Sequence, residues 1–172
     1  MKSSVVVAKH PLHPMLIPIP IACFVLTLIG DLAYAGTQNP FWYSFSIWTM
    51  GIGIIGGLLA AVPGLMDYLT VVPQGLAKRQ ATTHMVLNVS IVVLFIINLG
   101  LRLFTTASTG GLWTLSLALT IIGVLALGYS GWLGGELVFR HRIGVEERGQ
   151  PEAEGLRVTM AREEAKRVQR RK

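Results

Sequence analysis

Apolar residues run along this chain in four blocks, residues 18–35, 44–66, 84–104 and 112–138, and each block holds at most one formally charged side chain. Each is close to the ~20 residues needed to cross a ~30 Å hydrocarbon core. The pattern predicts an all-α, integral membrane four-helix bundle. The connectors "GTQNPFWY", "TVVPQGLAKRQA" and "TTASTGG" are short, so neighbouring helices should run antiparallel. The chain then divides into three regions: an N-terminal segment over 1–17, the membrane domain over 18–138, and a polar tail over 139–172 whose end, "TMAREEAKRVQRRK", suits a basic helix on a membrane surface.

The few polar positions inside the blocks fall at two heights. From His13 to Asp31 and from His84 to Arg102 the chain covers ~27 Å if helical. His10, His13, Asp67, His84, Glu136 and His141 therefore gather toward one face, and Asp31 and Arg102 toward the other. Asp31 and Arg102 are expected to form a structural ion pair between spans one and three. Asn88 and Asn98 continue the His84–Arg102 stripe, which should face inward. An internal repeat is also expected: each half starts with a histidine and ends in a glycine-preceded acid, Asp67 in "PGLMDYL" and Glu136 in "WLGGELV".

The opening "KHPLHPMLIPIP" bends the picture at one end. Prolines at 11 and 14 bias His10 and His13 away from helical angles, so a proline-rich, non-helical lip is expected before the first span. Two conformers suit it. Polyproline II would set the imidazoles ~9 Å apart, and a type I turn over residues 10–13 would bring their α-carbons within ~7 Å. Held by such a lip, His13, with His10 as a further candidate, could meet His84, with ring nitrogens ~4 to 5 Å apart if they share a metal. Neutral imidazoles suit haem iron or a divalent metal, the latter with Asp67 and Glu136 as further ligands. Two-haem four-helix cytochromes need histidine pairs near both faces, whereas all four histidines here lie toward one, so one haem b is the most the chain could hold.

Composition and charge then set the surroundings. A 52% share of hydrophobic residues against 14% charged excludes an ordinary water-soluble globule. All basic residues except Arg102 fall on the side of the termini, which the positive-inside rule reads as both termini cytoplasmic. The net charge of +6 is thus a topology signal, with anionic lipid as the tail's partner and no nucleic acid implied. "LAYAG" imitates a signal-peptide cleavage site; Pro18, Pro20 and Asp31 within the apolar run, and the charge asymmetry, favour a retained span. Small residues at four-residue spacing, Gly53/Gly57, Gly57/Ala61, Ala60/Gly64 and Gly131/Gly135, favour close helix packing and offer faces for a homo-oligomer. No phosphate loop or nucleophile elbow occurs, and the single Cys23 has no activating partner.

"HPLHPMLIPIPIA", Asp31 ending the first span, "GLMDY", "THMVLN", Asn98 through Arg102 and "GWLGGELVFRHRIGV" together resemble a bacterial family of membrane proteins catalogued as domain of unknown function 2231. The resemblance covers residues 9–146. It implies a four-span domain in a bacterial inner membrane, and it implies that some relatives are joined to Rieske-type iron-sulfur modules. This chain lacks the cysteines for such a module, so a redox role would need a partner protein. The expected function is a membrane scaffold or redox-associated subunit with a cytoplasmic-side histidine site, without catalytic activity of its own. The alternatives are a small ion, proton or solute transporter and a purely structural protein.

Overall fold

The computed structural model describes residues 3, 5–8, 10–104, 110–145 and 159–162. A short antiparallel ribbon, β1 (Val6–Val7) against β2 (His10–Pro11), leads into five helices: α1 (Leu12–Leu16), α2 (Pro18–Thr37), α3 (Pro40–Thr70), α4 (Leu76–Phe104) and α5 (Gly110–Phe139). Ile17 between α1 and α2 has helical angles, φ −53° and ψ −37°, so Leu12–Thr37 acts as one 26-residue span. The other three spans have 31, 29 and 30 residues. At ~1.5 Å per residue all four outrun a ~30 Å hydrocarbon core. Large apolar side chains such as Ile55, Val62, Leu125 and Trp132 point outward, each more than half exposed. Such a surface belongs in lipid.

The irregular lip is shorter than the prolines suggested. Helix begins at Leu12, and His13 already lies in its first turn. Pro14, Pro18 and Pro20 fall in the opening turns of α1 and α2, where a missing N–H costs least. Bonds from Ile17 N to His13 O (3.2 Å) and from Ile21 N to Ile17 O (3.3 Å) carry the helix through. Pro11 has ψ 126°, far from the value a type I turn requires, so His10 and His13 do not share such a turn. At the opposite end, Gln38 stops α2 in the left-handed region (φ 54°) and the Asn39 Oδ1 accepts from Phe41 N at 3.0 Å to start α3.

The helices close in the ring order α2–α3–α4–α5, with α2 diagonal to α4. Phe24, Met50, Ile54, Ile91 and Phe95 form the buried core. Phe24 of α2 and Phe95 of α4 stack across the diagonal, centroids 3.9 Å apart and planes 1° from parallel. Glycines make room for both rings: a Cβ at Gly53 would lie 2.7 Å from Phe24 Cε1, and one at Gly123 2.7 Å from Phe95 Cε2.

That correspondence is general. His13 and His84, Phe24 and Phe95, Thr27 and Asn98, Asp31 and Arg102 are each separated by 71 residues. Ser46 and Ser116, Gly53 and Gly123, Ala60 and Ser130, Gly64 and Gly134 are each separated by 70. Members of a pair make matching contacts, and two of the pairs touch each other directly: Phe24 meets Phe95 and Asp31 meets Arg102. Equivalent residues meeting at two heights define a pseudo-twofold axis along the bundle, relating α1–α3 to α4–α5 as parallel repeats. The repeat expected from the acids is thereby corrected, because the counterpart of Asp67 is Leu137 and not Glu136. The three α3 glycines of the expected oligomer face are also occupied inside the chain, Gly53 by Phe24, Gly57 by Val92 and Gly64 by His13, and that part of the face is not free.

Candidate functional site

Two polar layers interrupt the apolar interior, one at each end. Far from the histidines, Arg102 Nη1 and Nη2 donate to Asp31 Oδ1 and Oδ2 at 2.7 and 2.6 Å, a bidentate pair with both side chains fully buried. α5 completes it. Arg102 Nε donates to Ser116 Oγ (2.8 Å), and Thr120 Oγ1 donates to Asp31 Oδ2 (2.8 Å). Asn98 spans the same helix, giving Nδ2 to Ser116 O and to Thr120 Oγ1 (both 3.0 Å) and accepting from Ser116 Oγ (2.6 Å). Tyr43 and Trp113 flank the guanidinium, with ring centroids 5.8 and 5.7 Å away. Every buried charge here has a partner, as a low-dielectric site demands.

The histidine end is built on symmetry. His13 Nδ1 bonds to Ala60 O at 2.8 Å, and His84 Nδ1 bonds to Ser130 O at 2.9 Å. A carbonyl only accepts, so in both rings Nδ1 carries the proton and a neutral imidazole keeps its lone pair on Nε2. Each ring lies against a glycine of the neighbouring helix. A Cβ at Gly64 would sit 2.7 Å from His13 Cε1, and one at Gly134 would sit 3.1 Å from His84 Cε1. The two imidazoles differ in two respects: Ser130 Oγ lies 3.1 Å from His84 Nδ1, where Ala60 offers His13 no hydroxyl, and Asn88, one turn above His84, places Nδ2 3.2 Å from His84 Nε2 and 2.8 Å from Ser130 Oγ. The counterpart of Asn88 in the first half is Ile17.

The remaining candidates do not join this pair. His10 lies exposed on the ribbon, its Nδ1 turned back to Ala8 O at 2.9 Å across the left-handed Ala8 (φ 49°). Asp67 receives the Ser3 hydroxyl on both carboxylate oxygens, at 2.8 and 2.7 Å, which ties the N-terminal segment to the end of α3. Glu136 pairs with Arg140 at 3.1 Å. His141 bonds to Gln80 at 2.6 Å. Among the described residues no group of three or more His, Cys, Asp or Glu could hold a metal ion. The expected metal set of His10, His13, His84, Asp67 and Glu136 is therefore not assembled, because ribbon geometry and local polar contacts claim three of its members.

Between the two polar layers lies an apolar disc of Phe24, Met50, Ile54, Ile91 and Phe95. Ser130, Gly64, Gly134, Ser116 and Thr120 carry much of both layers, yet singly they look like common membrane-helix residues and give no sign of a site. The signal that finds Gly64, Gly134, Ser116 and, less directly, Ser130 is self-similarity, seen when the sequence is slid against itself by 70 positions; Thr120, which answers Met50, gives none.

Comparison with protein families matches residues 9–147 to a model described as "Predicted membrane protein (DUF2231)". No curated protein and no solved structure matches the chain.

Proposed function

We propose, from the premise that the chain belongs to the DUF2231 family of membrane proteins, that it is a cofactor-carrying, redox-associated subunit. Its two halves present His13 and His84 at equivalent positions toward the end that bears the termini. One observation carries the reading: both imidazoles hand Nδ1–H to a backbone carbonyl, at 2.8 and 2.9 Å. That bond fixes the tautomer and ring orientation in the way ligating histidines are held, with Nε2 as the donor to a ligand. A helix-packing histidine has no need of the same bond twice about one axis. The apolar disc speaks against the transporter alternative, because an ion crossing the bundle would have to part the Phe24–Phe95 stack and then a paired, buried guanidinium.

The asymmetry of basic residues supports a cytoplasmic location for the histidine end in a bacterial inner membrane. A reporter fused after Lys172 should then be cytoplasmic and one inserted between Gly36 and Asn39 should be outside. Purification of the full chain in mild detergent, followed by a visible spectrum and metal analysis, tests the function. A Soret band or stoichiometric metal supports it. A protein that carries neither, and takes up neither when offered them, is a scaffold.

A further inference from the structure

The two halves match closely inside the bundle, and where they part on its outer surface α4 carries a face that lipid alone does not suit. We infer that this face binds a second copy of the chain, making a parallel homodimer with Ser90 of α4 at the centre of its interface. The inference stands apart from the cofactor-carrying role. Its first support is a groove of about 360 Å³ on the outside of α4 and α5, lined by Val89, Ser90, Val93, Leu94, Ile97 and Leu119. In the first half, 71 residues earlier, the station of Ser90 is held by Ile19, whose Cγ2 comes within 2.8 Å of where a Cβ on Gly56 would stand. The first half thus fills with its own side chain a place that the second half leaves to a smaller serine.

The second support is Ser90 itself. α4 runs from Leu76 to Phe104, and Ser90 stands at its midpoint, exposed on the lipid-facing surface. Thr83, two turns below on the same face, returns its hydroxyl to Arg79 O at 3.1 Å, whereas among the described residues Ser90 Oγ has no hydrogen-bond partner. A hydroxyl left unpaired in hydrocarbon costs free energy. An acyl chain could fill the groove, but it would offer Ser90 nothing. A second copy offers the same hydroxyl at the same height, because both copies enter the membrane the same way round and a twofold axis between them stands along the membrane normal. Serine both donates and accepts, so two of them satisfy each other across that axis. Val86, Ser90, Val93 and Ile97 follow one another at four-, three- and four-residue steps, the spacing of a seam between two helices. Its three apolar members are each about half exposed. Arg79 continues the seam at the end that bears the termini, ~16 Å from the midpoint and so at the edge of a ~30 Å core, where anionic headgroups can stand between two copies.

The test places labelled full chains in liposomes and follows energy transfer between them as added lipid dilutes the protein. Native chains should pair. Ser90→Ala should weaken pairing about threefold to tenfold, the worth of an interhelical hydrogen bond in a membrane; Ser90→Thr should restore most of it, and Ser90→Trp should abolish it. Oxidative cross-linking reports which face is used and needs no loss of pairing. In a Cys23→Ala background, Ser90→Cys and Ile97→Cys should join two copies, and Val25→Cys, on the diagonally opposite α2, should not. A chain that stays monomeric at every lipid ratio overturns the inference, and so does a dimer joined through Val25→Cys and not through Ser90→Cys. Cross-linking of Ser90→Cys to a different protein in native membranes, with the purified chain monomeric, overturns the second copy as the occupant.

Discussion

The two polar layers of this bundle solve the same problem in opposite ways. At the end far from the histidines, Asp31, Arg102, Asn98, Ser116 and Thr120 are almost wholly buried and bond one another so that each of their buried polar side-chain atoms has a partner. At the other end His13 and His84 are only partly buried, and each commits one nitrogen to a carbonyl. A closed network gives rigidity. The imidazoles are less fully engaged, although Asn88 Nδ2 already stands 3.2 Å from His84 Nε2.

The contrast is tested most severely at the ion pair. Asp31→Ala or Arg102→Ala should each cost ~3–5 kcal/mol of thermal or denaturant stability in detergent, because the survivor is left charged and buried. Replacing both by apolar residues should cost less than either single change, and strictly additive losses would show that the pair is not coupled. Exchanging the two, Asp31→Arg with Arg102→Asp, asks how far the halves are interchangeable. The swapped pair can still form, but Met50 stands where Thr120 did, so about half of the ~3–5 kcal/mol should return. Full recovery would mean that the Thr120 hydroxyl contributes nothing, since Ser46 stands where Ser116 did.

Effects at the histidine end should be smaller. Gly64→Ala pushes a methyl to 2.7 Å from a ring whose other edge is fixed on Ala60 O. Overpacking of ~1–3 kcal/mol is set against ~1 kcal/mol gained in helix propensity, giving a modest net loss. At Gly134 the approach is 3.1 Å, and Gly134→Ala should be near neutral; melting curves of the two variants side by side would expose a reversed order. Asn88→Ala should change stability by less than ~1 kcal/mol, the worth of an ordinary partly exposed hydrogen bond. A loss as large as that of Arg102→Ala would make the histidine end a second closed network.

Much of this is legible in the sequence. The four spans come from length and hydropathy alone, and Asp31 and Arg102 can be set at one height because helical rise is constant. The histidine end is less legible. Periodicity says which face His13 occupies, but not that Pro14 falls in a first turn where it is harmless, so proline content overstates the length of the lip. Height alone sets Asp67 and Glu136 near the histidines. It cannot report that Ser3 and Arg140 claim them. The twofold relation is hidden because its members are mostly similar in role and not in identity: Thr27 answers Asn98, Ala60 answers Ser130, and in both of the latter the partner offered to histidine is a backbone carbonyl.

One consequence of the Asp31–Arg102 pair reaches past energetics. On the axis of a true homodimer a residue meets its own copy, so an aspartate would face an aspartate, tolerable in a buried place only if the two share a proton, and an arginine would face an arginine. Opposite charges can meet there only after the two halves have become separate stretches of one chain, free to mutate independently. The salt bridge thus needs both halves: neither, doubled on its own, could rebuild the centre of the molecule.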